Sequence, residues 1–158
     1  MLKTLLLGLS RTPAVKKAVI AFPLTRRVVE RFVAGETLDE CLHVTRALAD
    51  QGLLATIDFL GEDTTTAAQG DRVTDTYVEL LDRLAAEGLT DQVEVSIKLS
   101  ALGSLLKGGY GLALDNARVI CAQAARVGTT VTVDMEDHTS ADATLRTVNA
   151  LREPYPWV

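Results

Sequence analysis

Three charged residues stand near the ends of segments that read as β-strands. They are Lys98 and Asp134, with Asp58 at a matching place earlier in the chain. Side chains alternate between the two faces of a strand, and each of these three has the opposite parity to its apolar neighbours. A lysine between two aspartates could receive a substrate carboxylate or the polar edge of a cofactor. The alternative is an interior ion pair that only satisfies itself.

The elements that must position these charges form a recurring unit. A helical segment ends at glycine, the residue that most readily takes a left-handed cap, and a β-rich segment follows. The unit occurs at Gly52 with Leu53–Phe59, at Gly88 with Val93–Leu99, and at Gly128 with Thr129–Met135. Strands that alternate with helices predict an α/β fold with a parallel sheet. We interpret it as the N-terminal part of a (β/α)8 barrel, where such strand ends carry the active site.

The helices between the strands are predicted from apolar residues at helical spacing. Thr37-Leu38-Asp39-Glu40 is typical of a capping box and would open a helix that runs to Gln51. The predicted apolar faces are Val73, Tyr77, Leu80 and Leu84; Ala113, Ala117, Ile120, Ala124 and Val127; and Ala141, Leu145, Val148 and Leu151.

The pattern divides the chain into two parts. Residues 1–52 are predicted to form an N-terminal helical segment, and residues 53–158 the first three βα units. Trp157 and Val158 resemble the opening of a fourth strand. Because three strands and a start do not close a barrel, we expect a truncated barrel.

Composition excludes several classes of protein. The net charge of −5 argues against broad electrostatic binding to nucleic acid. The two cysteines do not form a C-x-x-C motif, so the sequence shows neither a disulfide framework nor a zinc site. No apolar run reaches membrane-spanning length. We expect a cytoplasmic protein. Arg26, Arg27 and Arg31 could favour peripheral contact with the inner face of an anionic membrane, although a solvated helix face explains them as well.

Two further groups of residues are weaker candidates for a site. Asp134, Glu136, Asp137 and His138 offer ligands for a divalent metal, but only Asp134 and Glu136 share a strand face. We therefore predict no metal site. The run from Gly108 to Gly111 does not join a strand directly to a helix as a phosphate loop does, and it favours a loop or lid.

Four motifs in order carry a resemblance to a known family. They are Arg31–Glu36, Thr56-Ile57-Asp58-Phe59-Leu60-Gly61-Glu62, Val95–Gly103 with Ser96-Ile97-Lys98-Leu99-Ser100, and Val131–Asp137 with Val133-Asp134-Met135-Glu136. Together they resemble the monofunctional bacterial proline dehydrogenases, from about residue 32 to the end of the chain.

The resemblance implies a specific reaction. The family oxidises L-proline to 1-pyrroline-5-carboxylate, with FAD as hydride acceptor and a membrane quinone as final acceptor, in the first step of proline degradation to glutamate. It implies that Lys98 contacts the substrate carboxylate and that Asp134 is an active-site residue. It also implies that Met135 lies against FAD through its backbone.

The family's FAD-phosphate contacts, a catalytic tyrosine and two carboxylate-binding arginines belong to the second half of its barrel. We therefore expect the 158-residue chain alone neither to hold FAD tightly nor to oxidise proline. Two alternatives remain. One is a class I aldolase-like barrel that uses Lys98 as a Schiff base, and the other is a non-catalytic fragment that folds by association.

Overall fold

The computed structural model of the chain describes residues 33–61 and 64–158. The helices predicted before residue 33, with Arg26, Arg27 and Arg31, lie outside the described residues. The chain divides into two compact units, 1–44 and 45–158. The boundary after Gly52 that the sequence predicts stays a prediction.

Helices and strands alternate along the described chain. Their order is α1 (Leu38–Ala49), β1 (Ala55–Asp58), α2 (Ala67–Ala86), β2 (Val93–Ile97), α3 (Gly109–Val127), β3 (Val131–Val133) and α4 (Ala141–Arg152). The predicted capping box opens α1, because the Thr37 hydroxyl accepts from the Glu40 amide at 3.3 Å and the Glu40 carboxylate accepts from the Thr37 amide at 3.2 Å.

The turn from helix to strand has the same form before each strand. Gly52, Gly88 and Gly128 all take a positive φ, at 75°, 68° and 83°. The amide of the next residue then donates back to a carbonyl five residues earlier, in the bonds Leu53 to Leu48, Leu89 to Leu84 and Thr129 to Ala124. This is the bond that closes a Schellman turn, and it reverses the chain into each strand.

The strands form a parallel sheet in the order β1-β2-β3. Ile57 is in register with Val95, and Val95 in turn with Val131. The apolar face of β2 is buried, with Val95 and Ile97 both at 0% exposure. The observed architecture confirms the predicted α/β class and parallel sheet. The strands are shorter than predicted, so Lys98 and Asp134 lie just beyond strand ends.

The last residues form a turn. The Val158 amide donates to the Tyr155 carbonyl at 3.1 Å, and the Tyr155 and Trp157 rings lie 5.5 Å apart. The fourth strand predicted to start at Trp157 is therefore not observed in residues 155–158, and it stays a prediction.

The buried face of α4 differs from the predicted one. Leu145 is 53% exposed, whereas Thr144, Thr147 and Leu151 are at most 2% exposed. The threonine hydroxyls donate to carbonyls one turn earlier, Thr144 to Ser140 at 3.1 Å and Thr147 to Ala143 at 3.0 Å. Because these bonds satisfy the hydroxyls within the helix, the threonines can be buried like small apolar residues.

The glycine run after Lys107 is also not a loop. Gly108 takes a φ of 72° and caps α3, and Gly109, Tyr110 and Gly111 form its first turn. Gly109 is buried against the carbonyl of Gly103. The predicted lid is therefore wrong, because close packing rather than flexibility requires a glycine there. None of the helices in the described part of the chain has the length and apolar character needed to cross a bilayer.

The assignment of the α4 faces can be tested with two leucines of one helix. Leu151→Ala should lower the free energy of unfolding by about 2–5 kcal/mol, because it opens a cavity at a fully buried position. Leu145→Ala, the matched control at an exposed position, should change it by no more than about 0.5 kcal/mol. Urea denaturation monitored by circular dichroism measures both. A larger loss for Leu145→Ala would contradict the assignment.

Candidate active site

The carboxyl ends of the three strands bring the predicted charges together. Asp58 is the last residue of β1, and Lys98 and Asp134 directly follow β2 and β3. The Lys98 ammonium donates to Asp58 Oδ2 and lies 3.3 Å from Asp134 Oδ2. Its side chain is 16% exposed, against 27% and 36% for the two aspartates. The lysine therefore joins carboxylates from both neighbouring strands.

Both carboxylates act on the charge state of this lysine. Burial by itself would lower the pKa of Lys98, but the hydrogen bond and charge of Asp58, followed by those of Asp134, outweigh it and raise the pKa above 10.5. A Schiff-base lysine needs the opposite, because only a neutral amine attacks a carbonyl. The geometry therefore argues against the aldolase reading of Lys98.

Asp134 is oriented by β2. The hydroxyl of Ser96, which is 4% exposed, donates to Asp134 Oδ1 at 2.6 Å. The Asp134 amide donates to the Ile97 carbonyl at 2.9 Å. Its other carboxylate oxygen faces Lys98. Both the main chain and the side chain of Asp134 are thus fixed against the neighbouring strand.

A buried tyrosine of α2 joins the ends of β1 and β2. The Tyr77 hydroxyl donates to the Ser96 carbonyl at 2.6 Å and accepts from the Phe59 amide at 3.0 Å. Burial raises the pKa of Tyr77 far above its ordinary value, so the phenol stays protonated. Tyr77 therefore ties together the backbone that follows Asp58 and the backbone that precedes Lys98.

A second polar layer lies one step down the same face of the sheet. Glu94 accepts from the hydroxyls of Thr56 at 3.0 Å, Thr130 at 2.7 Å and Thr132 at 3.3 Å. Three neutral donors thus solvate this carboxylate. Asp58 differs, because its Oδ1 is buried and has no hydrogen-bond partner among the described residues.

The residues after β3 have separate partners. The Glu136 carboxylate accepts from the amide of Ser100 at 3.0 Å and also from its hydroxyl. The Asp137 carboxylate accepts from the amide and from the hydroxyl of Thr139, both at 2.8 Å. The hydrogen bond from the amide is the larger cause of the lowered pKa of Asp137. No group of three or more His, Cys, Asp or Glu side chains within residues 33–61 and 64–158 is placed to hold a metal ion.

Met135 lies between these anchored residues. The residue is 55% exposed, and the backbone from residue 134 to 137 is irregular. A cavity of about 320 Å³ opens nearby between α3 and α4, lined by residues that include Ser100, Tyr110, Glu136 and Thr144. Neither Lys98 nor Asp134 lines this cavity, so it is separate from the charged cluster.

The sequence placed Asp58, Lys98 and Asp134 at one edge, and the structure brings them into contact. The pattern indicated no role for Ser96, and it assigned Tyr77 only to an apolar helix face. Parity could have suggested Ser96, since it lies two residues before Lys98 and faces the same way. No spacing signal marks the hydroxyl of Tyr77, because its ring fits the core in either case.

Comparison with known proteins assigns most of the chain to one family. Residues 41–155 match the family model described as proline dehydrogenase. The chain is 37% identical over 125 residues to the proline dehydrogenase of Deinococcus radiodurans. The aligned residues make up 78% of this chain and 40% of that relative. It is 33% identical over 145 residues to proline dehydrogenase 1 of Bacillus subtilis strain 168, and the aligned residues make up 92% of this chain and 46% of that relative. The chain therefore spans less than half the length of these curated relatives.

A solved structure shows a similar fold. It is proline utilization A (PutA) from Bdellovibrio bacteriovorus inactivated by N-propargylglycine, with a TM-score of 0.75 and 24% sequence identity. The similarity covers 84% of this chain and 16% of that chain. At this level of identity the match supports the fold alone.

The ion pairs of Lys98 can be tested by titration. Asp58→Asn should lower the pKa of Lys98, because it removes the larger of the two carboxylate contributions. In the native protein the part of the stability from these pairs that depends on the charge of Lys98 is complete below pH 10.5 and is lost as the pH rises through the higher folded pKa. NMR of ¹⁵N-labelled lysine Nζ follows the titration. Asp115→Asn, which removes an exposed partner of Arg118, is the control and should leave the pKa of Lys98 unchanged.

Proposed function

Because this chain belongs to the proline dehydrogenase family, we propose that it supplies the β1–β3 part of an active site that oxidises L-proline to 1-pyrroline-5-carboxylate. The observation that carries this proposal is the Lys98 ammonium held between Asp58 and Asp134 at the carboxyl ends of a parallel sheet. The sheet would then be the first part of a (β/α)8 barrel, whose active site lies at this end.

Lys98 is proposed to bind the substrate carboxylate. An ammonium has three N–H donors, and two of those of Lys98 face Asp58 and Asp134. The third can donate to a carboxylate oxygen of the substrate. Because the lysine is held from two sides, little side-chain entropy remains to be lost when the ligand binds.

The charge balance of the cluster favours an amino acid over a simple carboxylic acid. One ammonium and two carboxylates carry a net charge of about −1, since the raised pKa keeps Lys98 protonated. A ligand with only a carboxylate would be repelled by the aspartates. Zwitterionic proline brings its own ammonium, which a carboxylate can attract while Lys98 holds the other end. Asp134 is the more exposed of the two aspartates, and we propose it as the catalytic residue whose carboxylate attracts the proline ammonium.

FAD, the cofactor that the resemblance implies, is proposed to bind at the residues after β3. Met135 is an exposed apolar residue, and the backbone around it lies outside the regular strand. Met135 would therefore hold the flavin through its backbone, as the resemblance implies. When bound, FAD supplies the hydride acceptor. The residues of this chain bind and orient the substrate, which turns a random encounter into an aligned one.

A quinone is proposed as the final electron acceptor, with the protein in the cytoplasm or in peripheral contact with the membrane. Arg26, Arg27 and Arg31 are the candidates for that contact. Binding to anionic vesicles that weakens with added salt would support it, because salt screens charge attraction. Binding that is indifferent to salt and to these arginines would contradict it.

The first test concerns the cofactor. The reading frame that contains the codon for Val158 is expressed to its stop codon, in parallel with a chain that ends at Val158. We expect the product of the whole frame to purify with the visible absorbance of a bound flavin, which proline bleaches. If the frame extends past Val158, we expect the shorter chain to be colourless. A colourless and inactive product of the whole frame would contradict the proposed function.

The second test concerns Lys98. Lys98→Met keeps the length of the side chain but removes the donor and the charge, so the KM for proline should rise at least about tenfold. Lys107→Met, the same change at an exposed lysine before α3, should leave the KM within about twofold. Both variants are made in the product of the whole reading frame, and steady-state oxidation of proline with a soluble quinone analogue measures their KM. An unchanged KM in Lys98→Met would remove Lys98 from the substrate site.

A further inference from the structure

We propose that Ser96 is a positioning residue, whose hydroxyl turns the Asp134 carboxylate so that one oxygen faces Lys98 and one ammonium N–H stays open to the ligand. This inference rests on the proposed function only in naming proline as the ligand. The orientation of Asp134 by Ser96 can be tested without any substrate.

The two oxygens of Asp134 have different partners. Oδ1 accepts from the Ser96 hydroxyl at 2.6 Å, and Oδ2 lies 3.3 Å from Lys98 Nζ. A short bond from a hydroxyl to a carboxylate is among the stronger hydrogen bonds in proteins. Because it occupies one oxygen, the carboxylate cannot rotate to present both oxygens to the lysine.

Ser96 is itself firmly held. It is 4% exposed, lies in register between Asp58 on β1 and Thr132 on β3, and accepts from Tyr77 at its carbonyl. An ionised carboxylate has no proton to give, so the serine must be the donor in its bond to Asp134. The direction of this bond is therefore fixed as well as its position.

Removal of the hydroxyl would release Asp134. The carboxylate would then rotate between water and Lys98, and on average its contact with the ammonium would weaken. The open N–H of Lys98 would lose its fixed direction toward the ligand carboxylate. That contact is remote from the carbon that is oxidised, so we expect weaker binding of proline rather than a slower chemical step.

The experiment is a double-mutant cycle of Ser96→Ala and Asp134→Asn in the product of the whole reading frame. Ser96→Ala should raise the KM for proline roughly three- to tenfold and change kcat by less than about twofold. In the ligand-free protein it should lower the pKa of Lys98, followed by NMR of ¹⁵N-labelled lysine. In the Asp134→Asn background it should add nothing to either effect.

A matched control separates this role from general loss of a buried hydroxyl. Ser100 is 5% exposed and its hydroxyl also donates to a carboxylate after β3, that of Glu136. Ser100→Ala should leave the pKa of Lys98 unchanged. If Ser96→Ala does not fold, Ser96→Cys keeps a side chain of similar size with a weak donor, and it should shift the pKa in the same direction.

Each outcome has a defined meaning. Additive effects of the two substitutions, or an unchanged pKa of Lys98 in Ser96→Ala, would overturn the inference even if proline is oxidised normally. A coupled shift in the pKa of Lys98 in a protein that does not oxidise proline would uphold the role of Ser96. The proposed function would then be the part that failed.

Discussion

The ion pair of one lysine with two aspartates is the constraint on which the site depends. Lys98 follows the middle strand, and its carboxylate partners come from the strands on either side. A partly buried cation is costly unless it is paired, and a buried carboxylate likewise. The pairs form only if all three strands end at the same level. The register of the sheet, the tyrosine that ties β1 to β2 and the serine that orients Asp134 all serve this alignment.

The parts of this arrangement that follow from local rules could be predicted from the sequence. Alternation along a strand has a period of two, so the parity of Lys98 and Asp134 against their apolar neighbours placed both on one face. Glycine at Gly52, Gly88 and Gly128 marked the ends of helices, because other residues resist the left-handed conformation found there. These two rules were enough for the α/β class, the parallel sheet and the level at which the charges meet.

Features that depend on tertiary partners could not be predicted in this way. Hydropathy favoured Leu145 as a core residue of α4, but Thr144 and Thr147 are buried because their hydroxyls bond within the helix. The glycines at the start of α3 resembled a loop, although Gly109 is required by its packing against Gly103. Tyr77 resembled an ordinary core residue, since no spacing reveals that its hydroxyl bridges two strands.

The two polar layers of the sheet, the upper one around Lys98 and the lower one around Glu94, differ in how completely their charges are solvated. This difference supports the upper layer as the proposed ligand site. In the lower layer, three threonine hydroxyls donate to Glu94, so this carboxylate is well solvated by neutral groups of the protein. In the upper layer, charges solvate one another incompletely. Lys98 has a third donor beyond its two carboxylate partners, and Asp58 Oδ1 has no partner among the described residues. A layer with an open N–H donor and a net negative charge can gain from a ligand that carries both charges, whereas the layer around Glu94 offers no such donor.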